Sequence, residues 1–408
     1  MFYTTIPIHK KITKAISDYI NNLRMFSLNA RLFLFGTFFM SMGFSGFMLL
    51  FNLYLKEIGF LEGRIGNILS AMTIGTTIMA IPASIIIRRF SIKRILIIAT
   101  PIAMFCYLIQ VTTSQYHMIL AGAFMAGLTS VYFQVSSGPF FMRNSTPKER
   151  PYLFSLHFAF MLVAGIIGSI LGGFLPGIIE KSGMVPYLTY RYTLCIFSGL
   201  VLIALFPYIM IKEKPAPKIT EKFKIHSGRL IIKLFLPNLV VGIGAGLSIP
   251  FVNLYFKDVF LTPTNLIGIF YSLQQFLMIT GLLIAPVIAE RIGKIKTVVF
   301  SQLISIPFLI TLGITHNLGI AVVAFLIRAA MMNMAQPLFT NFAMEKVKHD
   351  EQAFTNALLV IAWTAGWGVS ASIGGWLIER YSFTIPFFAT STFYLISTII
   401  IFTFFKHD

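Results

Sequence analysis

Asn52-Leu53-Tyr54-Leu55-Lys56-Glu57 closes one long apolar run, and Asn253-Leu254-Tyr255-Phe256-Lys257-Asp258 closes another, 201 residues further on. Further pairs keep almost the same spacing, now 202: Ile65-Gly66 with Ile267-Gly268, Ser70 with Ser272, Arg89 with Arg291, Gln134 with Gln336, and Gly172-Gly173 with Gly374-Gly375. A near-constant offset over so many places marks an internal duplication.

Apolar runs recur on both sides of these landmarks, from Arg31 to Lys406. Of the 408 residues, 57% are hydrophobic and 11% charged, against about 25% charged in a soluble domain. At about 20 residues per membrane span, the runs predict twelve spans, six in each copy. The expected fold is an all-α membrane protein: twelve transmembrane helices in two pseudo-symmetric six-helix bundles around a central cavity. The expected divisions are a tail at 1–28, a first bundle at 29–211, a linker at 212–229 and a second bundle at 230–408. The linker is marked by Lys212, Glu213, Lys214, Pro215, Pro217 and Lys218. A disordered chain, a disulfide scaffold and a cytosolic enzyme are excluded by this composition.

Lys and Arg total 32 and Asp and Glu 14, giving a net charge of +18. Position explains the excess. The segments that share a face with the two termini and the linker hold 25 of the 32 basic residues. Those of the opposite face hold six, namely Lys56, Arg64, Lys181, Arg191, Lys257 and Arg380. That bias predicts both termini in the cytoplasm of a plasma-membrane, multi-pass protein. The positive charge contacts anionic lipid headgroups and does not form a nucleic-acid groove. Cys106 and Cys195 fall inside spans as small apolar packers, with no metal-ligand spacing around them, so no metal and no cofactor are expected. No Gly-x-x-x-x-Gly-Lys-Ser/Thr run provides for a nucleotide.

With twelve spans, a six-plus-six repeat and a basic central loop, nearly the whole chain resembles the major facilitator superfamily. That family carries Gly-x-x-x-Asp-Arg-x-Gly-Arg-Lys after its second span. Here the first half offers Arg88-Arg89-Phe90-Ser91-Ile92-Lys93-Arg94 and the second offers Glu290-Arg291-Ile292-Gly293-Lys294. The resemblance implies gating roles for Arg89, Glu290 and Arg291. Arg88 replaces the acid of the first copy, which leaves Glu290 as the acid of a latch, with Arg143 or Arg150 to pair with. Gly165-Ile166-Ile167-Gly168-Ser169-Ile170-Leu171-Gly172-Gly173 resembles an antiporter pattern of the fifth span, with Ser169 in place of Pro. The fifth and eleventh spans meet across the halves in that family. Gly168, Gly172 and Gly374 are therefore expected on surfaces that rock against each other, with ordinary close helix packing as the plainer alternative.

All fourteen acids fall in tails, loops or span edges. A carboxylate at mid-membrane, the usual carrier of a coupling proton or sodium ion, is thus missing from the pattern. Arg328 is the exception among charged residues. It lies about ten residues into the tenth span, roughly 15 Å deep at about 1.5 Å per residue. An intramembrane Arg is a functional candidate by default, and its planar fork suits a carboxylate or phosphate. The alternative is an Arg that bonds carbonyls or amides within its own bundle. The other candidates for substrate contact are Gln134 on the fourth span, Gln274 and Gln275 on the eighth, Asn333 and Gln336 on the tenth, and Trp363 on the eleventh. For each, an interhelical hydrogen bond is the plainer role. His157 is the one His inside a span and the candidate proton carrier, set against an ordinary packed histidine.

The resulting expectation is a monomeric secondary transporter that moves a small organic anion or anionic amphiphile by alternating access. A multidrug or lipophile efflux antiporter is the alternative within the family. A non-transporting membrane sensor is the alternative of another class. No nucleophile–base pair or metal set appears, so an enzyme is not expected.

Overall fold

The computed structural model describes residues 26–146, 149–212, 227–348 and 351–406. Most of the expected tail and linker lies outside these residues, as do Pro147, Lys148 and the side chain of Arg88.

The first half consists of α1 (Leu28–Glu57), α2 (Glu62–Arg89), α3 (Ile92–Thr112), α4 (Tyr116–Asn144), α5 (Arg150–Glu180) and α6 (Pro186–Met210). The second consists of α7 (Gly228–Phe260), α8 (Thr264–Ile292), α9 (Lys294–Ile314), α10 (Leu318–Lys346), α11 (Gln352–Arg380) and α12 (Thr384–Phe405). All twelve are long and apolar enough to cross a bilayer. Helix is forced on such segments, because hydrocarbon offers backbone N–H and C=O groups no other partner. Local signals set where helices begin. The side chains of Ser27, Ser91 and Asn317 accept from the amides of Ala30, Arg94 and Ile320 at 3.2, 3.3 and 3.1 Å, the N-cap geometry these residue types favour.

The duplication is visible in the packing. In the first half α1 packs on α5 and α6, α4 packs on α2 and α3, and α3 packs on α6. In the second half α7 packs on α11 and α12, α10 packs on α8 and α9, and α9 packs on α12. Exchange of the halves maps one pattern onto the other. Buried hydrogen bonds repeat as well. Tyr54 Oη donates to the Val111 carbonyl at 2.7 Å, and Tyr255 Oη donates to Leu312 at 2.6 Å. Across the halves, α2 meets α11, α5 meets α8, and α1 meets α7. These contacts also exchange into themselves, which is the signature of a pseudo-two-fold axis. The step in offset from 201 to 202 falls at the turn before α8, where Leu261 adopts a left-handed φ of 51°.

The glycine surfaces divide differently from expectation. A Cβ on Gly168 would lie 2.5 Å from the Met42 carbonyl of α1, and one on Gly172 would lie 3.1 Å from Leu49 Cδ2. Gly374 faces the Leu247 carbonyl of α7. These three therefore pack inside their own halves and not on the surface between halves. The neighbouring Gly173 and Gly375 take that surface. A Cβ on Gly173 would sit 2.9 Å from Gly268 Cα, and Gly375 abuts the Glu62 carbonyl. Successive helix residues point about 100° apart, so each Gly-Gly pair serves two neighbours at once.

Candidate functional site

Hydrogen bonds between the halves run along the face opposite the termini and reach inward to Thr77 and Thr364, whose hydroxyls are 3.0 Å apart. At the outer extreme lies a reciprocal clasp. Asn52 Nδ2 donates to the Pro250 carbonyl at 2.6 Å and to Asn253 Oδ1 at 3.2 Å, while Asn253 Nδ2 donates to the Leu49 carbonyl at 2.9 Å. The clasp is possible because α7 breaks into a 3-10 turn at Ile249–Phe251. Pro250 cannot donate within a helix, and at this kink its carbonyl is taken by the other half. Beside the clasp, Lys56 pairs with Glu62 of its own half and reaches Asp258 of the other at 3.7 Å. Tyr190 and Thr264 share a 2.7 Å hydroxyl contact, and Ser272 Oγ donates to the Ile166 carbonyl at 3.2 Å.

Apolar side chains are exposed toward the terminal face. Ile78, Ile81 and Ile85 of α2, Leu283, Ile284 and Val287 of α8, and Phe154 and Phe158 of α5 are exposed there. The bonds that join the halves thus shut the side opposite the termini. Glu290, Arg89 and Arg291 stand exposed at the terminal-face ends of α2 and α8. Glu290 forms no ion pair among the described residues. Arg150 instead donates to the Met142 carbonyl at 3.1 Å within the first half.

Gln134 and Gln336 are both exposed although each lies within its span. The exposed apolar residues Met118 and Ile320 hold matching places on the same two helices. At about 100° per residue, each Gln lies roughly 160° around the helix from its apolar counterpart. The two glutamines thus stand exposed on matching sides of α4 and α10, one in each half. Asn333 Nδ2 donates to the Ala329 carbonyl at 2.8 Å. Gln275 lies against Gly165, where a Cβ would meet its Nε2 at 2.9 Å, so it contributes to the α5–α8 contact. Gln274 is half-buried on α8. Trp363 stacks with Trp367 at a centroid distance of 4.9 Å.

Of the two readings of Arg328, the structure has the bond within its own bundle. Its side chain is 4% exposed and points into the second bundle, where Nη2 donates to Tyr394 Oη of α12 at 2.6 Å. Around α10 it lies with Met332, Ala335 and Phe339 on the buried side, about 80° from Gln336 at roughly 100° per residue. It does not line the cavity in this state. It forms no ion pair among the described residues, and its buried Nε has no hydrogen-bond partner.

His157 sits among aromatic rings, 5.2 Å from Phe141 and 6.1 Å from Phe33 by centroid. Its buried Nε2 has no hydrogen-bond partner among the described residues. The capping motif at 146–149 is seen in part: the Thr146 amide donates to Glu149 Oε2 at 3.3 Å. One small side pocket escaped the sequence reading. It lies inside the second bundle against Asn238, Gln302, Gln336 and Ser397, with a volume of about 10 Å³, room for a single water. No group of three or more His, Cys, Asp or Glu residues among the described residues could hold a metal.

The family model of the Major Facilitator Superfamily matches residues 33–241 and 234–408. No curated protein matches the chain. Solved structures do match in fold. A variant of the nucleoside transporter NupG has a TM-score of 0.77 at 12% identity, covering 93% of this chain and 100% of that one. A bacterial homologue of the iron transporter ferroportin in an inward-facing state gives 0.76 at 15%, covering 92% and 98%. A bacterial homologue of the human lysosomal transporter Spinster, inward-facing and unoccupied, gives 0.75 at 14%, covering 92% and 97%. With the family matched over nearly its whole length and the pseudo-two-fold helical fold in place, the chain belongs to the major facilitator superfamily and is a multi-pass membrane transporter, not an enzyme.

Proposed function

We propose that this transporter carries a small organic anion or anionic amphiphile by alternating access, as a monomer of the plasma membrane with both termini in the cytoplasm. The observation that carries the charge preference is Arg328, a buried cation without an acidic partner among the described residues. It acts through its field, from behind the cavity wall, rather than by contact. One helix diameter is about 10 Å. At that distance, and at an effective dielectric of about 20, a unit charge contributes roughly 1.7 kcal/mol. That is on the order of tenfold in binding. Gln134, Gln336, Gln274, Asn333 and Trp363 then supply hydrogen bonds and a flat apolar surface to the cargo. The basic surplus on the terminal face supports the orientation, and in that orientation the open mouth faces the cytoplasm.

The test is uptake into proteoliposomes of labelled solutes that share one skeleton and differ in charge, such as benzoate, benzamide and benzylamine, run beside Arg328→Lys and Arg328→Gln. The field role predicts that anions are preferred, that Arg328→Lys keeps the preference, and that Arg328→Gln loses it by about tenfold. A preference for the amine, or none by charge in the unmutated protein, refutes the proposal. Equal loss in both folded variants would replace the field by direct contact.

A further inference from the structure

We propose that Glu379 is the positioning residue that holds the outer gate shut, by capping a helix of the opposite half. Helix α2 starts at Glu62, and its N-cap, Leu61, offers no side-chain acceptor. The first amides of a helix need acceptors from outside it, and the positive end of the helix dipole favours a carboxylate there. Glu379 of α11 provides one: Gly63 N donates to Glu379 Oε2 at 2.9 Å, across 316 residues of sequence and across the interface between halves. A Cβ on Gly63 would lie 2.7 Å from that same oxygen, so glycine is what lets the carboxylate sit over the helix end. The neighbouring α2–α11 contacts are equally close, with a Cβ on Gly66 falling 2.5 Å from the Ala371 carbonyl.

The device is not a relic of the duplication. The repeat mate of Glu379, at the offset of 202, is Gly177, which has open space around it. Beside the matching α5–α8 interface, the start of α8 is held instead by a neutral contact, Tyr190 of α6 with Thr264. The cytoplasmic signature has lost its first acid to Arg88, whereas the outer gate keeps a carboxylate in use. This asymmetry biases the resting carrier toward the cytoplasm-open state. The inference rests on alternating access but on no particular cargo.

The experiment reads conformation directly. Spin labels on Ser182→Cys and Ser382→Cys, one in an outer loop of each half, report the outer separation in nanodiscs on a Cys106→Ala, Cys195→Ser background. Glu379→Gln removes the charge, and Gly63→Ala displaces the carboxylate from the other side. Each is expected to raise the ratio of outer-open to outer-closed molecules about fivefold, the scale of a lost helix cap, at unchanged melting temperature. Combined, they are expected to do little more than either alone, since both remove one interaction. Unchanged distances in both variants, or effects that multiply in the double variant, would overturn the assignment. Because the readout needs no transport, a failed anion preference leaves this test standing.

Discussion

Gly374 and Gly375 are neighbours in sequence, yet alanine at the two sites is expected to damage different properties. Both lie inside α11, so the general gain of Ala over Gly in a helix, up to about 1 kcal/mol, applies equally and cancels in the comparison. The contacts differ. A Cβ on Gly374 would drive into the Leu247 carbonyl of α7, within the same half. That contact belongs to every state of a rigid bundle, so the overpacking, about 1–3 kcal/mol, falls on folding. For bundles of this size roughly 1 kcal/mol moves the melting temperature by about 2–4 °C, and Gly374→Ala should melt several degrees lower. A Cβ on Gly375 would drive into the Glu62 carbonyl of α2, in the other half. That contact exists only while the outer gate is shut. The same energy then falls on one conformer and shifts the equilibrium between states roughly 5- to 150-fold. Gly375→Ala should therefore keep its melting temperature and populate the outer-open state. Thermal melts followed by tryptophan fluorescence, with the outer spin-label distance measured on the same preparations, distinguish the two. Variants that melt alike and share one distance distribution would refute the division of the glycines between bundle and interface.

Tyr54→Phe and Tyr255→Phe each remove a buried bond to a carbonyl, Val111 or Leu312, and Tyr54→Phe also removes the acceptor of Arg191 Nε and Nη2 at 3.2 and 3.0 Å. Tyr255→Phe should lose about 1–3 kcal/mol and Tyr54→Phe at least as much; a melt unchanged in either would argue against these bonds as supports of the halves. Gln134→Ala and Gln336→Ala should raise the KM for cargo several-fold at unchanged melting temperature, as expected for a lost hydrogen bond; an unchanged KM in both would remove the amides from the site. His157→Gln should leave the pH profile of transport unaltered, because the ring is packed against Phe33 and Phe141 without a bonded partner at Nε2. A flattened profile would restore His157 as a proton carrier.

Much of the fold is legible in the sequence, because hydropathy marks spans and duplication marks halves without reference to three dimensions. Asn52 and Asn253 could be placed at matching levels from spacing alone, although their mutual clasp depends on the kink at Pro250. What the sequence does not carry is the rotation of each helix about its own axis. Depth alone leaves Arg328 open to a cavity or to its own bundle, and rotation decides, turning it toward Tyr394 and leaving Gln336 exposed. The same angle separates Gly374 from Gly375. Glu379 gave no local signal either, since its partner amide lies 316 residues away.

The central claim is that two rigid halves rock about the cavity between Gln134 and Gln336. It is tested most directly by measuring spin-label distances between the halves at the mouth on the terminal face and at the opposite mouth, and one distance within each half, in the same membrane preparations. Distances at one mouth are expected to lengthen as those at the other shorten, while the distances within each half stay fixed. Mouths that open together, or a half that changes its internal distance by as much as the mouths do, would contradict it.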